Sequence, residues 1–591
     1  MDLNDLSTEL WPGSPNASDN KTRRAPVEIV SFSRKGYAGE LVKVEADLRR
    51  GIPAVDIVGL PDGAVKEARE RVRAAIRNSG LEYPRERILI NLSPANLRKE
   101  GSAFDLAIAL AVLASARGLA HGGIAGRVLI LGELELSGFV RPVSGVLAAV
   151  SRALEDGVRD CIIPAGNRAE AALMKEASVI AVDRLADALA ALEAIARGEQ
   201  PVAGEGADGG ENRKRGAEGA GRAGASGGTA HRESRDGVAV IPETESRAPA
   251  VRWEAIPEQD SPFEGYEDVR GQETLVRALQ IAAAGGHHLI AYGPPGVGKT
   301  LALRRFPAIL PALDEETAIE VTRIHGIAGP IARADGSSVL IERPPFREPH
   351  QNASLEGMIG GGRLCGPGEI SLAHGGTLFL DEATQFRPGA LQALRTPLET
   401  GWVTVSRAGI TGTFPARFQL LAAINPCPCG NFGAEGRICT CDPAIIERYW
   451  RKLTVPLLDR IDLRVQVALP DPEALAGEDG ESGFSTAELR AGIERARLAQ
   501  EARHGQAGRL NARLGPSEIR EYCALSPALA RTFASGLRTA RLSGRSAHIA
   551  LKVARTIADI SGERDIGKEH LFEALSLRRW SQTVPDFLKE G

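Results

Sequence analysis

Cysteine is scarce, with seven in 591 residues. That excludes a secreted disulfide scaffold and leads us to expect a reducing, cytoplasmic setting. No apolar run approaches the roughly 20 residues that cross a bilayer, so no membrane association is expected. The opening "MDLNDLSTELWPGSPNASDNKTRR" puts acidic residues first and lacks an apolar stretch. It does not read as a secretory signal, and residues 1–26 are expected to be a disordered extension. A large excess of charge of one sign is missing as well. A formal net charge of -4 gives no chain-wide nucleic-acid signature, so any DNA-binding surface has to be local. What is present, 43% hydrophobic and 25% charged residues over 591 positions, suits two to four ordinary globular domains.

Residues 201–240 hold eleven glycines, mixed charge and no aromatic side chain. Such a stretch cannot bury enough apolar surface to offset its ordering entropy, so residues 198–255 are expected to be a flexible linker. Before it, residues 27–197 alternate extended and helical patterns. "RILINLSP" and "RVLILGELEL" read as buried strands and "AFDLAIALAVLASA" as a buried helix. After it, residues 256–483 open with the helix "GQETLVRALQIAAAGG" and the strand "HLIAYG". From residue 484 to 591 the pattern is helical, and "STAELRAGIERARLAQEARHG" starts with a capping box, Ser485 and Glu488. The expected class is α/β, an α/β core followed by a helical lid.

The core carries phosphate chemistry. "AYGPPGVGKT" places Gly293, Pro294, Pro295, Gly296, Val297, Gly298, Lys299 and Thr300 in a G-x-x-x-x-G-K-T pattern between a strand and the helix "TLALRRFPAIL". Glycines let backbone N–H groups turn inward around phosphate oxygens at a helix N-terminus. Lys299 would reach the β- and γ-phosphates, and the Thr300 hydroxyl would hold Mg²⁺. The apolar strand "GTLFLDE" ends in Asp381 and Glu382. Aspartate there suits a metal-holding role, and the adjacent glutamate is placed to polarise a water. Asn425, closing the next apolar strand "FQLLAAIN", could orient the same water. The reaction these residues describe is ATP hydrolysis.

"GPPGVGKT", "RPPFREPHQNAS", "PGEISLAHGGTLFLDE", "PARFQLLAAINPCPCG", "PLLDRIDL" and "LKVARTIADI" together resemble the Mg-chelatase-like AAA+ ATPases of the YifB/ComM family. The resemblance covers residues 27–591 except the linker. It implies a homohexameric ring with ATP sites between subunits. It also implies that Arg460 of "LLDRIDL" is an arginine finger and that Arg545 of "LSGRSAH" is the lid's sensor arginine, with Arg555 as a competing choice. The departures are minor: "DEATQF" follows the acidic pair where the family commonly has Leu-Pro, and "PHQN" replaces a double histidine. His350 is read as structural.

"LRKEGSAFDLAIAL" and "LGELELSGFVRPVSGVLAAV" resemble the proteolytic domain of Lon-type proteases, an S5-like α+β fold. That chemistry needs a serine activated by a lysine. The register puts Ala103 at the serine position, with Ser102 one place early, and Leu147 near the lysine position. Peptidase activity is therefore not expected. The domain is read as an oligomerising or DNA-contacting platform.

Four of the seven cysteines crowd "INPCPCGNFGAEGRICTCDP": Cys427, Cys429, Cys439 and Cys441. Three readings are open: a structural Zn²⁺ held by four thiolates, a reduced thiol cluster, or a redox-sensitive disulfide pair. For the work that ATP drives, the first reading is a DNA motor for helicase or branch-migration work in recombination or natural transformation. The second is a metal-insertion motor, since the core also resembles the magnesium-chelatase ATPase subunit, and the third is an ATP-switched scaffold. The Lon-like domain favours DNA, because the chelatase subunit is not built with it. Two insertions are candidate contacts to single-stranded or branched DNA: "GMIGGGRLCGPGEIS", with Arg363, and the hairpin "ETGWVTVSRAGITGTFPARF", with Arg407 and Arg417.

Overall fold

A computed structural model of the chain describes residues 27–199 and 264–584, except 100, 120–125, 330, 332–338, 363–364, 408–409, 434–436, 470–483, 540–541 and 581–583. The expected extension at 1–26 and nearly all of the expected linker lie outside the described residues.

The N-terminal strands are β1 (Val27–Ser33), β2 (Glu40–Arg49), β3 (Val55–Val58), β4 (Arg87–Ser93), β5 (Val128–Ile130), β6 (Glu133–Leu134), β7 (Val140–Arg141), β8 (Asp160–Pro164) and β9 (Ser178–Val182). Seven form one mixed sheet in the order β3-β4-β2-β1-β5-β8-β9, while β6 pairs with β7 alone. The stretch expected as a single strand over "RVLILGELEL" is thus two, parted at Gly132. A Cβ there would lie 2.7 Å from the Val140 side chain. The apolar helix is Asp105–Ala116, in which every residue from Asp105 to Ser115 is buried. It packs on β1 and β2 and against the helices Gly63–Asn78 and Leu185–Ala196. Its one carboxylate, Asp105, is held by Arg71 at 2.8 and 3.0 Å. Ala103 and Ser102 precede this helix, and the Ser102 hydroxyl donates to Glu133 at 2.5 Å. Leu147 is fully buried in the helix Val146–Glu155.

The second unit contains β10 (Leu289–Tyr292), β11 (Phe346–Arg347), β12 (Gly360–Gly361), β13 (Gly366–Pro367), β14 (Thr377–Leu380), β15 (Trp402–Arg407), β16 (Ile410–Pro415), β17 (Gln419–Ile424) and β18 (Leu463–Gln466). Five of these make an all-parallel sheet in the order β11-β14-β17-β10-β18. Its middle strands read as unbroken apolar runs because both faces are covered: all four residues of β10 and all four of β14 are buried. The helix expected over "TLALRRFPAIL" stops early. It spans Lys299–Arg304, and Phe306–Ile309 continues as a 3₁₀ turn, since Pro307 has no N–H to donate. Downstream, Ser485 caps the helix Thr486–His504 by accepting the Glu488 N–H at 3.2 Å. The apolar face of "RSAHIALKVARTIADI" lies on the helix Gly544–Ser561. No helix among the described residues is long and apolar enough to cross a membrane.

The two units share one apolar cluster, in which Val30, Phe32 and Val146 join Ile327, Val405 and Phe414. At this junction Tyr37 N–H donates to Thr413 O at 2.9 Å, and Arg323 lies 4.2 Å above the Tyr37 ring. Arg323 also donates to Ser151 Oγ at 3.2 Å and Ala38 O at 3.3 Å. Gly36 and Gly412 permit the approach: a Cβ on Gly412 would sit 2.8 Å from Gly36 Cα. The β15–β16 hairpin is therefore docked along its β16 strand against the N-terminal unit. This gives a prediction with an unusual sign. Valine suits a strand better than glycine, so Gly412→Val on a free hairpin would be neutral or stabilising. Docked, it is expected to lower stability by about 1–3 kcal/mol in thermal unfolding; an unchanged or raised Tm would contradict the docking.

Candidate functional site

Parallel register brings the chemistry together. Tyr292 pairs beside Ile424, and Leu380 beside Ala422, so β10, β17 and β14 end side by side. The next residues on each strand are Gly293, Asn425 and the pair Asp381–Glu382. Open parallel sheets bind ligands beyond the carboxyl ends of their strands, where polar groups can first leave the apolar core.

The phosphate loop needs two of its glycines for backbone shape. Gly296 (φ 82°) and Gly298 (φ 89°) are left-handed, and nothing would touch a Cβ on either. Gly293 is needed for space, as a Cβ there would lie 2.0 Å from Val467 O. Lys299 Nζ donates to the carbonyls of Gly293 and Pro294, both at 2.7 Å, and to Asn425 Oδ1 at 3.2 Å. Thr300 Oγ1 donates to Asp381 Oδ1 at 3.0 Å. Asn425 Nδ2 reaches toward Glu382 Oε1 at 3.5 Å, and Gln351 Nε2 donates to Glu382 Oε2 at 2.9 Å. One chain of hydrogen bonds thus runs from Lys299 through Asn425 to Glu382 and Gln351. Glu382 sits at φ 48°, ψ 52°, a left-handed conformation that costs a non-glycine residue about 1–3 kcal/mol. The cleft so formed, about 250 Å³, is lined by the loop, Asp381, Glu382 and Asn425.

Gln351 escaped the sequence reading. It lies inside "RPPFREPHQNAS", 31 residues before Glu382, and no periodicity links the two. Its neighbour His350 is exposed, its Nδ1 accepting the Asn352 N–H at 3.2 Å.

The arginines divide. Arg460 follows the short helix Val455–Leu458 and bonds to Glu399 and the Pro456 carbonyl. Arg545, exposed in the first turn of Gly544–Ser561, also contributes to the field at Glu399. One carboxylate therefore faces both. Arg555 is a different case: buried, it donates to Asp559 at 3.1 Å and to the carbonyls of Arg564 and Glu563 at 2.7 Å. Those bonds tie down the end of its own helix. Arg417 is a correction to the hairpin reading. It lies two residues beyond β16, at the base of the hairpin, and its half-exposed guanidinium pairs with Glu320. Arg407 ends β15 beside residues 408–409; those two, the Arg407 side chain and Arg363 lie outside the described residues.

The four cysteines of the loop after β17 do converge. Cys427 Sγ lies 3.3 Å from Cys429 and 3.6 Å from Cys439, and all four sulfurs fall within 4.8 Å of one another.

Comparison of the sequence with known proteins matches it to named families. Residues 265–475 match the family described as magnesium chelatase, subunit ChlI; residues 44–167, subunit ChlI of Mg-chelatase; and residues 483–578, the subunit ChlI C-terminal family. YifB of Salmonella typhimurium is 38% identical over 537 residues, 91% of this chain and 94% of that protein. The chain belongs to the YifB/ComM family of Mg-chelatase-like proteins. Competence protein ComM of Haemophilus influenzae is 36% identical over 551 residues, covering 93% of this chain and 97% of ComM. The magnesium-chelatase 38 kDa subunit of Cereibacter sphaeroides is 24% identical over 215 residues, 34% of this chain. Membership implies ATPase activity with ATP and Mg²⁺. The match over residues 44–167 carries the chelatase subunit's own name, so the presence of an N-terminal domain does not by itself separate a DNA motor from a chelatase.

Burial pushes the Lys299 ammonium down to about 8, with Asp381 and Glu382 pulling it back up. A bound polyphosphate would restore the ordinary value. Lys299 carries its charge below that folded value and loses it above. ATP affinity is therefore expected to hold below about pH 8 and to fall by up to about tenfold per pH unit above it. Titration calorimetry in buffers of different ionisation enthalpy near pH 8 should show proton uptake on binding; a flat affinity from pH 7 to 9.5 would contradict the assignment.

Proposed function

We propose that this chain is the subunit of a hexameric, ATP-hydrolysing motor that acts on single-stranded or branched DNA. The observation that carries the ATPase half is the single hydrogen-bonded chain linking Lys299, Asn425 and Glu382 beside the Thr300–Asp381 pair. On binding ATP, Lys299 exchanges the Gly293 and Pro294 carbonyls for phosphate oxygens, while loop N–H groups cradle them. Thr300 and Asp381, already paired at 3.0 Å, would hold Mg²⁺, which would supply charge neutralisation for the transferred phosphoryl group. Glu382 accepts a proton from the attacking water, which the Asn425 amide orients. Arg460 acts on the neighbouring subunit's site. To do so it must leave Glu399, whose carboxylate is exposed. Arg545 senses nucleotide from a helical lid, and the N-terminal domain, which resembles Lon proteases, serves as a platform. The four thiols are read as ligands of one structural zinc ion.

The DNA half is supported by likeness to a competence protein over nearly the full chain. Arg407, beside the tip of the β15–β16 hairpin, and Arg363 are the proposed phosphate contacts. Metal insertion is the second reading, kept by the chelatase names of all three matched families. The experiment is ATP turnover with and without single-stranded, duplex and forked DNA, together with migration of a labelled junction. DNA stimulation that weakens steeply with salt is expected, with Arg407→Ala losing the stimulated rate more than the basal one. No stimulation and no junction movement on any substrate would move the reading to metal insertion.

For Arg460, the expected result is slower turnover in Arg460→Ala with nucleotide binding intact. Mixing Arg460→Ala with Glu382→Gln should recover activity, because some interfaces then join an intact glutamate to an intact arginine. Turnover that persists unchanged down to demonstrable monomer would contradict action between subunits.

A further inference from the structure

The cysteine loop is pinned at both ends to the nucleotide cleft. It leaves β17 through Asn425 and Pro426, and the Pro426 carbonyl accepts the Nε1–H of fully buried Trp450 at 2.8 Å. Trp450 ends the helix Pro443–Trp450, which begins directly after Cys441 with Asp442 as its cap. Within the loop, Gly430 N–H donates to Cys427 O at 3.0 Å and closes a turn over Cys427–Gly430. Gly430 is left-handed at φ 82°, and a Cβ on it would lie 2.5 Å from Pro295 Cδ and 2.8 Å from Pro295 Cγ. The turn that carries Cys427 and Cys429 therefore rests directly on the ring of a phosphate-loop proline.

Four sulfurs in this arrangement need a reason to stay together. The turn closes only between Cys427 and Gly430; Cys439 and Cys441 arrive from ten or more residues away. No oxygen donor competes among the grouped ligand atoms. The spacings of 3.3, 3.6 and 3.6 Å exceed the roughly 2.05 Å of a disulfide. They approach the roughly 3.8 Å between sulfurs each about 2.3 Å from one tetrahedral zinc. Phe432 N–H donates to Cys427 Sγ at 3.4 Å, the kind of backbone bond that steadies a thiolate ligand. The donor set fits a closed, structural Zn²⁺ site.

We infer that a zinc ion bound by Cys427, Cys429, Cys439 and Cys441 is a strut for the nucleotide site, holding the Cys427–Gly430 turn against Pro295 and fixing where Asn425 leaves β17. The nucleotide-affinity part rests on the ATPase reading above. In the absence of the ion, the Cys439–Cys441 arm is no longer tied through sulfur to the Cys427–Gly430 turn, and the turn's support of the phosphate loop at Pro295 is loosened. The metal contributes no chemistry to hydrolysis; the residues of the loop contribute position.

The test uses the full chain purified without chelator. Metal analysis is expected to find about one zinc per chain, and none in the double variant Cys429→Ser/Cys441→Ser. Zinc is then stripped from the parent protein, the chelator removed and Mg²⁺ restored, with circular dichroism confirming retained structure. Affinity for a fluorescent ATP analogue is expected to fall about tenfold and to return with one equivalent of zinc. Gly430→Ala, which keeps all four thiols, is expected to retain the ion yet weaken nucleotide binding. Hydrogen exchange at residues 294–299 reads the strut without nucleotide and is expected to quicken severalfold on zinc removal. Absence of zinc with four reactive thiols, or with a disulfide among them, overturns the site. Zinc that leaves without altering exchange at 294–299 overturns the strut. Failure of the zinc-loaded protein to bind nucleotide while exchange still responds to zinc would count against the ATPase reading alone.

Discussion

One strand constrains the whole site. β17 is hydrogen-bonded on both edges, to β14 and to β10, and its register fixes where the chemistry emerges. Because the three strands are apolar after their first residues and buried to their last, the polar groups of the site emerge at their carboxyl ends. A slip of one residue on β17 would turn its side chains to the opposite faces and take Asn425 out of reach of Lys299. The phosphate loop, the acidic pair and the amide are thus consequences of how a buried sheet ends.

Electrostatics then explains the closed state of the cleft. Lys299 is nearly buried between carbonyls and an amide, and its ammonium is held well below the usual range by that burial. Glu382 is tied in a left-handed conformation by hydrogen bonds from two amides, one of them Gln351. Both groups are satisfied internally, and both satisfactions are ones a phosphate or a water could replace. Arg460 is likewise parked, on Glu399.

The sequence was informative where a function occupies contiguous residues. The phosphate loop, the strand before it and the acid pair after β14 needed only local pattern. The family resemblance was legible for the same reason, since its motifs are short and ordered. It was uninformative wherever two distant segments meet. Gln351 reaches Glu382, Gly430 reaches Pro295, and Gly36 reaches Gly412, through contacts that only the folded chain creates. Arg417 looked like part of a hairpin because strand ends cannot be read to within two residues from alternation alone. Arg555 looked equivalent to Arg545 because helical spacing does not reveal that one guanidinium is spent on its own helix. The apolar pattern after the phosphate loop runs past Pro307, whereas the helix stops at Arg304.

The central claim is that this convergence is an ATP-hydrolysing site in which phosphate clamp and base are separate groups. The most direct measurement compares nucleotide binding with phosphate release in Lys299→Ala and Glu382→Gln. The account predicts weakened binding in the first. It predicts parent-like binding with turnover reduced by about 100-fold or more in the second, so that ATP is trapped intact. Parent-rate hydrolysis by Glu382→Gln would contradict it.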